Sequence, residues 1–411
     1  MTTHNENAMK TETLVDFSGA VTAGDILEKV REIGPALASC VDEGEKSRQL
    51  PQQAMTALRE AGLFKLFLPA SLGGFEFDPL TVAKVTEAVA LHNTAAGWSM
   101  IVANTAAWWC SRLSDEGIDD IYAGGPDTFI AGAFHPPMQA TPVDGGYRIN
   151  GKSPLTSNIH EAQWIFVTAM VMENGQMKFN NGMPEILGVF MEASKCGIID
   201  TWHTMGMKAT DSNDVAVSDV FVPSRRTYML TPQVNPNRHF TGALYQFAAI
   251  GASIASLIVP VALAVAANAI NELKALAGRK VPFGSSVSIR EKGTVQRKLG
   301  MAEAFVQSGR CYLHDAIAHC WSKTSVGEKL SLEDRASLLL AVTHTNQTCV
   351  QAVDMMYSAA GTSAIYSSSK LARCFADAQV IRQHGFANDS RYETAAQLYL
   401  GLQPDLPVVL F

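Results

Sequence analysis

From Thr241 to Asn271 the chain carries no charged residue: "TGALYQFAAIGASIASLIVPVALAVAANAIN". Such a run must be kept from water, and where it goes constrains everything around it. It exceeds the roughly 20 apolar residues that cross a bilayer. Its texture is not that of a membrane span. Ala, Gly and Ser are frequent, Pro260 sits in the middle, and no basic cluster flanks either end. A helix that is apolar all round is also what the centre of a large bundle or an oligomer interface requires. The sequence favours that second placement, and no membrane partner is expected.

The rest of the chain can supply such a bundle. Of its 411 residues 47% are hydrophobic and 17% charged, which argues for a large core and against disorder. The net charge of −7 comes without any basic stripe, which argues against a nucleic-acid partner. Seven cysteines stand singly, with no CxxC pair and no zinc spacing, as in a protein of the reducing cytoplasm. The polar start "MTTHNENAMKTETLV" lacks an apolar signal core, and its first ~12 residues are expected to be loose.

Periodicity divides the chain. Residues 21–127 show apolar positions at helical spacing, with breaks at Pro51, Gly62 and Pro69. Residues 128–236 hold short β-branched and aromatic runs such as "WIFVTAMVM" and "DVAVSDVFVP", punctuated by Gly, Pro, Asn and Asp. "VDGGYRING" predicts a hairpin turning at Asp144-Gly145-Gly146. Helical spacing returns over 237–411, with a helix start at Ser331 supported by Glu333 and Asp334. With residues 1–20 as a flexible lead, the expectation is an α+β fold, mostly α: helical domain, β-domain, helical domain.

The common chemical motifs are absent. No Gly-rich phosphate loop opens a helix after a strand, and neither GxSxG nor HExxH occurs. No metal site is expected. The ten histidines are scattered, and a lone histidine is more often structural than catalytic.

What stands out is an ordered set of stretches: "GLFKLFLPASLGGFE" (62–76), "GGYRINGKSPLTSNIHEAQW" (145–164), "TMGMKATDSNDVAVSDVFVP" (204–223), "RKVPFG…VQRKLGMAEA" (279–304) and "SAAGTSAIYSSSKLARCFADAQ" (358–379). Together they resemble the acyl-CoA dehydrogenase superfamily of flavoproteins. That implies an N-terminal helical domain, a central β-barrel-like domain, a C-terminal four-helix bundle and a homotetramer. In the dehydrogenases a carboxylate removes a proton from the substrate; here the matching place falls near Gly385, beside His384, with Glu393 about two turns further on. The chain is more similar to the group D two-component flavin-dependent monooxygenases. Gly145-Gly146-Tyr147, Gly151, Ser157, Ala162, Trp164, His384, Leu400-Gly401 and Pro404-Asp405 match their pattern. Ser153 departs from a common aromatic and Asn158 from a common Gly.

The resemblance implies an oxygenase that takes reduced flavin, FADH2 or FMNH2, from a separate NAD(P)H:flavin reductase, either docked or by diffusion. With molecular oxygen it would form a flavin C4a-hydroperoxide and hydroxylate a small aromatic substrate of phenol or indole type. The cofactor carries the hard chemistry and the protein orients it. By the same resemblance Ser157 would hold the flavin N5–H, and its alternative is a plain turn residue. His384 would serve as general base, its alternative being a helix-end residue. Arg279 and Phe283, with Gln296 and Gly361, would meet the flavin across a subunit interface. Phe134 and Trp164 would flank the cofactor, and Trp98, His92, His135 and Trp202 would line the substrate pocket, although aromatics are core residues more often. Rival readings are an acyl-CoA dehydrogenase with a displaced base, an N- or S-oxygenating relative, and a non-catalytic flavin-fold protein.

Overall fold

The computed structural model describes residues 21–180, 182–231, 237–247 and 250–410; the expected loose segment 1–20 and residue 236 lie outside these. Among the described residues six α-helices precede the sheet: α1 (Ala23–Ser39), α2 (Val41–Ser47), α3 (Gln52–Glu60), α4 (Pro79–His92), α5 (Thr94–Cys110) and α6 (Asp115–Tyr122). Their starts are locally encoded. Asp78 accepts from Thr81 N–H ahead of Pro79, whose fixed φ suits a first helical turn. Asn93 caps α5 by accepting from Ala96 N–H at 3.1 Å, and its amide donates to the Leu37 carbonyl at 3.0 Å. One residue thus starts a helix and ties it to α1.

Ten strands follow: β1 (Ile130–Val143), β2 (Gly146–Thr156), β3 (Trp164–Glu173), β4 (Gln176–Met177), β5 (Phe179–Asn180), β6 (Met183–Pro184), β7 (Ile186–Glu192), β8 (Gly197–Ile199), β9 (Asn213–Pro223) and β10 (Thr227–Met229). The main sheet runs β10-β7-β3-β1-β2-β9-β8, with β4 on β3. Only β1 and β3 pair in parallel within it. The expected hairpin is present: Val143 pairs with Gly146, and Gly145 turns the chain at φ +78. One face encloses a core of its own, with Ile149, Ile165, Val167, Val189 and Val215. The other face, with Trp164, Phe166, Phe190 and Tyr228, merges with the helical core. Covering on both faces explains why "WIFVTAMVM" is a continuous apolar run and not an alternating one.

The second helical part comprises α7 (Ile250–Ile258), α8 (Pro260–Ala277), α9 (Gly293–Thr324), α10 (Leu332–Ala360), α11 (Lys370–Ile381) and α12 (Arg391–Tyr399). α8, α9, α10 and α11 form the four-helix bundle, and α4 packs on α8. The helix start expected at Ser331 is realised as a reciprocal cap with Asp334. The uncharged run becomes α7 and α8, with Pro260 in the first turn of α8. Residues Ser253–Ala277 are long and apolar enough to cross a membrane, yet their apolar window is 89% buried inside the protein. Helices from before and after the sheet share one core, so the three parts follow chain order but pack as one body.

Phe166 is the pin between sheet and helices: fully buried, stacked on Trp109 at 5.4 Å and near Phe134, Phe190 and Tyr228. Phe166→Ala should destabilise the fold by about 3–5 kcal/mol. A urea titration should show a lower midpoint at an unchanged slope.

Candidate active site

Ser157 lies just past the end of β2, buried between α5 and the loop before β9. Trp98 Nε1–H from α5 donates to its hydroxyl at 3.1 Å, and Ser212 Oγ lies 2.8 Å away. Ser212 Oγ is 2.7 Å from Thr210 Oγ1, which donates to the Met207 carbonyl at 2.8 Å. The ends of this chain set its direction. An indole N–H can only donate and a carbonyl can only accept. One arrangement satisfies both ends: Thr210 gives its hydrogen to Met207, Ser212 donates to Thr210 and Ser157 donates to Ser212. Ser157 is left with one free lone pair: it faces any further partner as an acceptor.

Asn158 explains one departure from the family pattern. Its φ of +55 lies in the left-handed region where Gly is common and Asn is tolerated. Asn gains what Gly lacks, because its Oδ1 accepts from Ser99 of α5 at 2.7 Å. Its N–H donates to the Thr210 carbonyl at 2.8 Å. Nδ2 of Asn158 and Oγ1 of Thr156 are buried without partners. The loop that brings Thr210 and Ser212 is braced in turn. Trp202 donates from Nε1 to the Met207 carbonyl at 3.1 Å, and Met207 N–H donates to Asp377 of α11 at 2.6 Å. Gly206 allows the approach, since a Cβ there would stand 2.3 Å from the Ala376 carbonyl carbon.

His384 comes from the loop between α11 and α12. Its ring meets Trp98 edge-on at 5.6 Å and Phe386 at 5.7 Å. Phe386 N–H donates to Nδ1 at 3.4 Å, which leaves Nε2 as the protonated nitrogen of the neutral ring. Loss of hydration pushes the imidazole down to about 4, so it is uncharged at neutral pH. The loop is held from two sides. Asn346 of α10 donates to the Ala387 carbonyl at 2.9 Å. Asp405, from the C-terminal "LG…PD" ending, accepts from Thr394 at 2.5 Å and pairs with Arg391 at 3.4 Å.

Phe134 reaches the same place through a defect in β1. Register slips between Ala133 and Met138, and "FHPP" loops out. Prolines have no N–H for the ladder, and a bulge of this kind re-aims side chains. Phe134 packs edge-on against Trp109 at 4.5 Å and lies 6.4 Å from Phe386. The structure therefore brings together Trp98, Ser157, His384 and Phe134. Ser212, Thr210, Phe386 and Trp109 complete the group; hydroxyl-rich "TDS" was the one sequence signal for the first two.

Other expected residues serve elsewhere. His92 packs its ring over Gly34, bracing α4 on α1, where a Cβ would meet it at 2.4 Å. It is a packing residue, not a pocket residue. His135, in the bulge, is exposed. Trp164 lies under the Arg226 guanidinium at 4.8 Å. Trp202 acts through the loop it braces.

The remaining residues form a second group on the surface. Arg279, Phe283 and Gln296 are exposed. Lys280, next to Arg279, donates to the Ala360 carbonyl and so ties this loop to the Gly361 turn. Gly361 has φ +54 and ψ −142, a conformation nearly restricted to glycine. Lys298 donates to Ser358 at 2.7 Å in the last turn of α10. The result is a set of cations around a glycine turn, and Lys280 and Lys298 were not singled out by their sequence context.

Comparison with known proteins gives the family. The "Acyl-CoA dehydrogenase, N-terminal domain" model matches residues 25–116, and "Acyl-CoA dehydrogenase, C-terminal domain" matches 256–389. Together they cover more than half of the chain. The chain belongs to the acyl-CoA dehydrogenase superfamily. Its relatives within that superfamily are flavin-dependent monooxygenases. Indole-3-acetate monooxygenase of Pseudomonas putida is 27% identical over 380 residues, covering 90% of this chain and 95% of that protein. The oxygenase component of the FADH2-dependent resorcinol hydroxylase of Rhizobium sp. is 25% identical over 395 residues, covering 92% and 95%. XiaF from Streptomyces sp., solved with FADH2 and glycerol, superposes with a TM-score of 0.85 at 23% identity, covering 94% and 97%.

Gly385, near which the sequence reading put the dehydrogenase acid, is exposed. Glu393 is exposed on the first turn of α12. The buried carboxylates near the site, Asp211 and Asp377, are engaged by His160 and Asn213 and by Met207 N–H.

The depressed pKa of His384 makes a stability prediction. As pH falls through the ordinary imidazole value of 6.5, the unfolded chain takes up a proton before the folded one does. The native state should lose on the order of 1–3 kcal/mol through this residue between about pH 6.5 and 4, and nothing above pH 7. Chemical denaturation across pH should show this slope in the wild type and a shallower one in His384→Asn.

Proposed function

We propose that this protein is the oxygenase component of a two-component flavin monooxygenase, inserting one oxygen atom into an aromatic substrate. The observation that carries the reading is the hydroxyl chain from Trp98 to the Met207 carbonyl, taken in the direction that satisfies both of its ends. Because Ser157 presents an acceptor, it suits an N–H. Reduced flavin carries a hydrogen on N5, whereas oxidised flavin has an acceptor there and would meet Ser157 lone pair to lone pair.

The residues fit a flavin. Thr156 Oγ1 and Asn158 Nδ2 are buried polar atoms without partners beside Ser157, and a heteroaromatic edge of mixed donors and acceptors would satisfy them. The Lys280–Gly361 turn, with Arg279 and Lys298 nearby, suits a diphosphate. When bound, the reduced flavin supplies oxygen activation. Ser157 would keep the N5 hydrogen in place, and Trp98 and Ser212 would keep Ser157 turned to accept it. Phe134, Trp98 and Phe386 would exclude water and offer faces to an aromatic ring.

His384 takes a different role from the general base suggested by the motif. Its conjugate acid near 4 makes it a weak base at neutral pH, and Nδ1 already accepts from Phe386. Nε2–H is free to donate, so His384 positions an oxygen atom of the substrate or of the transferring group. His384→Gln, which keeps an N–H donor, should retain most product formed per flavin oxidised, while His384→Ala should lose roughly tenfold or more. Equal losses in both variants would return His384 to a base.

The supporting relatives are named for FADH2 and for aromatic substrates, and FADH2 is therefore the proposed cofactor, delivered by a separate reductase. Exposure of Phe283, Val281, Ile365 and Tyr366 around the glycine turn supports a homotetramer in which this surface is covered. Free thiols throughout support a cytoplasmic setting. The deciding assay supplies reduced FAD, oxygen and a panel of phenols and indoles, against a parallel assay with acyl-CoA and an artificial electron acceptor. Hydroxylated product in the first and no dye reduction in the second is expected. The reverse pattern would identify a dehydrogenase.

A further inference from the structure

Asp377, in the middle of α11, is only 3% exposed, and among the described residues no cation pairs with it. Its carboxylate accepts from Met207 N–H at 2.6 Å. The nearby cations are engaged by α2: Arg373 pairs with Asp42 at 2.5 Å and Lys208 with Glu45 at 3.7 Å. A buried carboxylate with one hydrogen bond and no cation is a poor stabiliser of a fold, and a neutral side chain would cost less there. What it supplies is a strong acceptor aimed at a single N–H.

Met207 needs such a hold. Its φ of +52 lies in the left-handed region that residues other than glycine rarely adopt. Its carbonyl is the acceptor at the end of the Ser157 line, taking the Thr210 hydroxyl at 2.8 Å and Trp202 Nε1–H at 3.1 Å. Gly206, beside it, lies against the backbone of α11: a Cβ there would stand 2.4 Å from the Ala376 oxygen and 2.6 Å from the Asp377 nitrogen. The loop rests on the helix, and Asp377 is the side chain that ties the two.

The same helix leads to His384. α11 ends at Ile381, whose carbonyl accepts from His384 N–H at 3.1 Å. One carboxylate therefore stands between the loop that orders Ser157 and the loop that carries His384.

We infer that Asp377 is a positioning residue: by holding Met207 on α11 it keeps Ser157 turned to accept, and it sets Ser157 in register with His384. This rests on the monooxygenase reading for what Ser157 does. The hold is sensitive to pH. Burial pushes the Asp377 carboxyl up to about 7, with Glu45 adding to the rise and the Met207 bond, Arg373 and Lys208 opposing it; Cys374, on the same helix, is the other titratable group coupled to it. A hydrogen bond to an ionised carboxylate is stronger than one to the neutral acid, so the hold tightens as pH rises through that value.

The test measures hydroxylated product per flavin oxidised on either side of neutral pH, with reduced FAD, oxygen and a phenol or indole. In the wild type this yield should rise with pH through about 7. Asp377→Asn keeps an acceptor for Met207 N–H but cannot titrate, so it should retain most of the yield with a flatter profile. Asp377→Leu should lose roughly fivefold or more, the scale of one lost hydrogen bond, with the missing product appearing as hydrogen peroxide. Thr210→Val breaks the same line one step on, so adding Asp377→Leu to it should cause little further loss. A wild-type pH profile that persists in Asp377→Asn, equal losses in the Asn and Leu variants, or losses that multiply in the double variant would overturn the role. Amide hydrogen exchange over residues 204–212, without flavin or substrate, gives a readout independent of turnover. Protection kept in Asp377→Asn and lost in Asp377→Leu is expected; equal protection in all three proteins would overturn the anchor. No product from the wild type, with the expected exchange pattern, would support the anchor and count against the monooxygenase reading.

Discussion

The hydrogen bond from Trp98 to Ser157 is the contact on which the site depends. It joins α5 of the first helical part to the end of β2, and Ser157 passes its own hydrogen to the loop that Asp377 of α11 anchors. All three parts of the chain meet within one line of hydroxyls. One direction satisfies both ends, because the line starts at an indole and ends at a carbonyl. A hydroxyl in water would offer donor and acceptor alike. Here the arrangement that satisfies both ends of the line leaves Ser157 as an acceptor.

That polarity, together with the neutral imidazole, bears on two chemistries that one architecture can host. A dehydrogenase needs an acid to remove a proton at carbon and a flavin ready to accept hydride. This chain has a neutral imidazole at His384 and, next to Trp98, a Ser157 hydroxyl that the end-to-end hydrogen-bond run leaves as an acceptor. The imidazole is kept neutral by its aromatic surroundings and not by any charge. Nothing in that arrangement requires the scaffold to change; the substitutions sit on the ends of elements that both chemistries share.

Much of this was readable in the chain itself. Helical and strand regions were legible because period and punctuation are local, and the charge-free run could be assigned to the interior from its small residues and Pro260. Ser157 and His384 were legible through the order of motifs around them. Their behaviour was not. The pKa of His384 follows from Trp98 and Phe386 packing on it, and Trp98 lies far away in sequence. The acceptor role of Ser157 depends on Ser212 and Thr210, more than fifty residues on. His92 looked like a pocket residue, but only the packing of α4 on α1 reveals Gly34 beneath its ring. The bulge at Phe134 was hinted at by Pro136-Pro137, and its direction only by the fold.

The central claim is that this scaffold transfers an oxygen atom from molecular oxygen while Ser157 holds reduced flavin in place. Turnover under labelled dioxygen, with reduced FAD supplied by an unrelated reductase and a phenol or indole as substrate, tests it most directly. Mass spectrometry of the product should show one labelled oxygen atom from the gas, and Ser157→Ala should divert most of the oxygen to hydrogen peroxide. Product oxygen drawn from water, or a Ser157→Ala enzyme that remains fully coupled, would contradict the account.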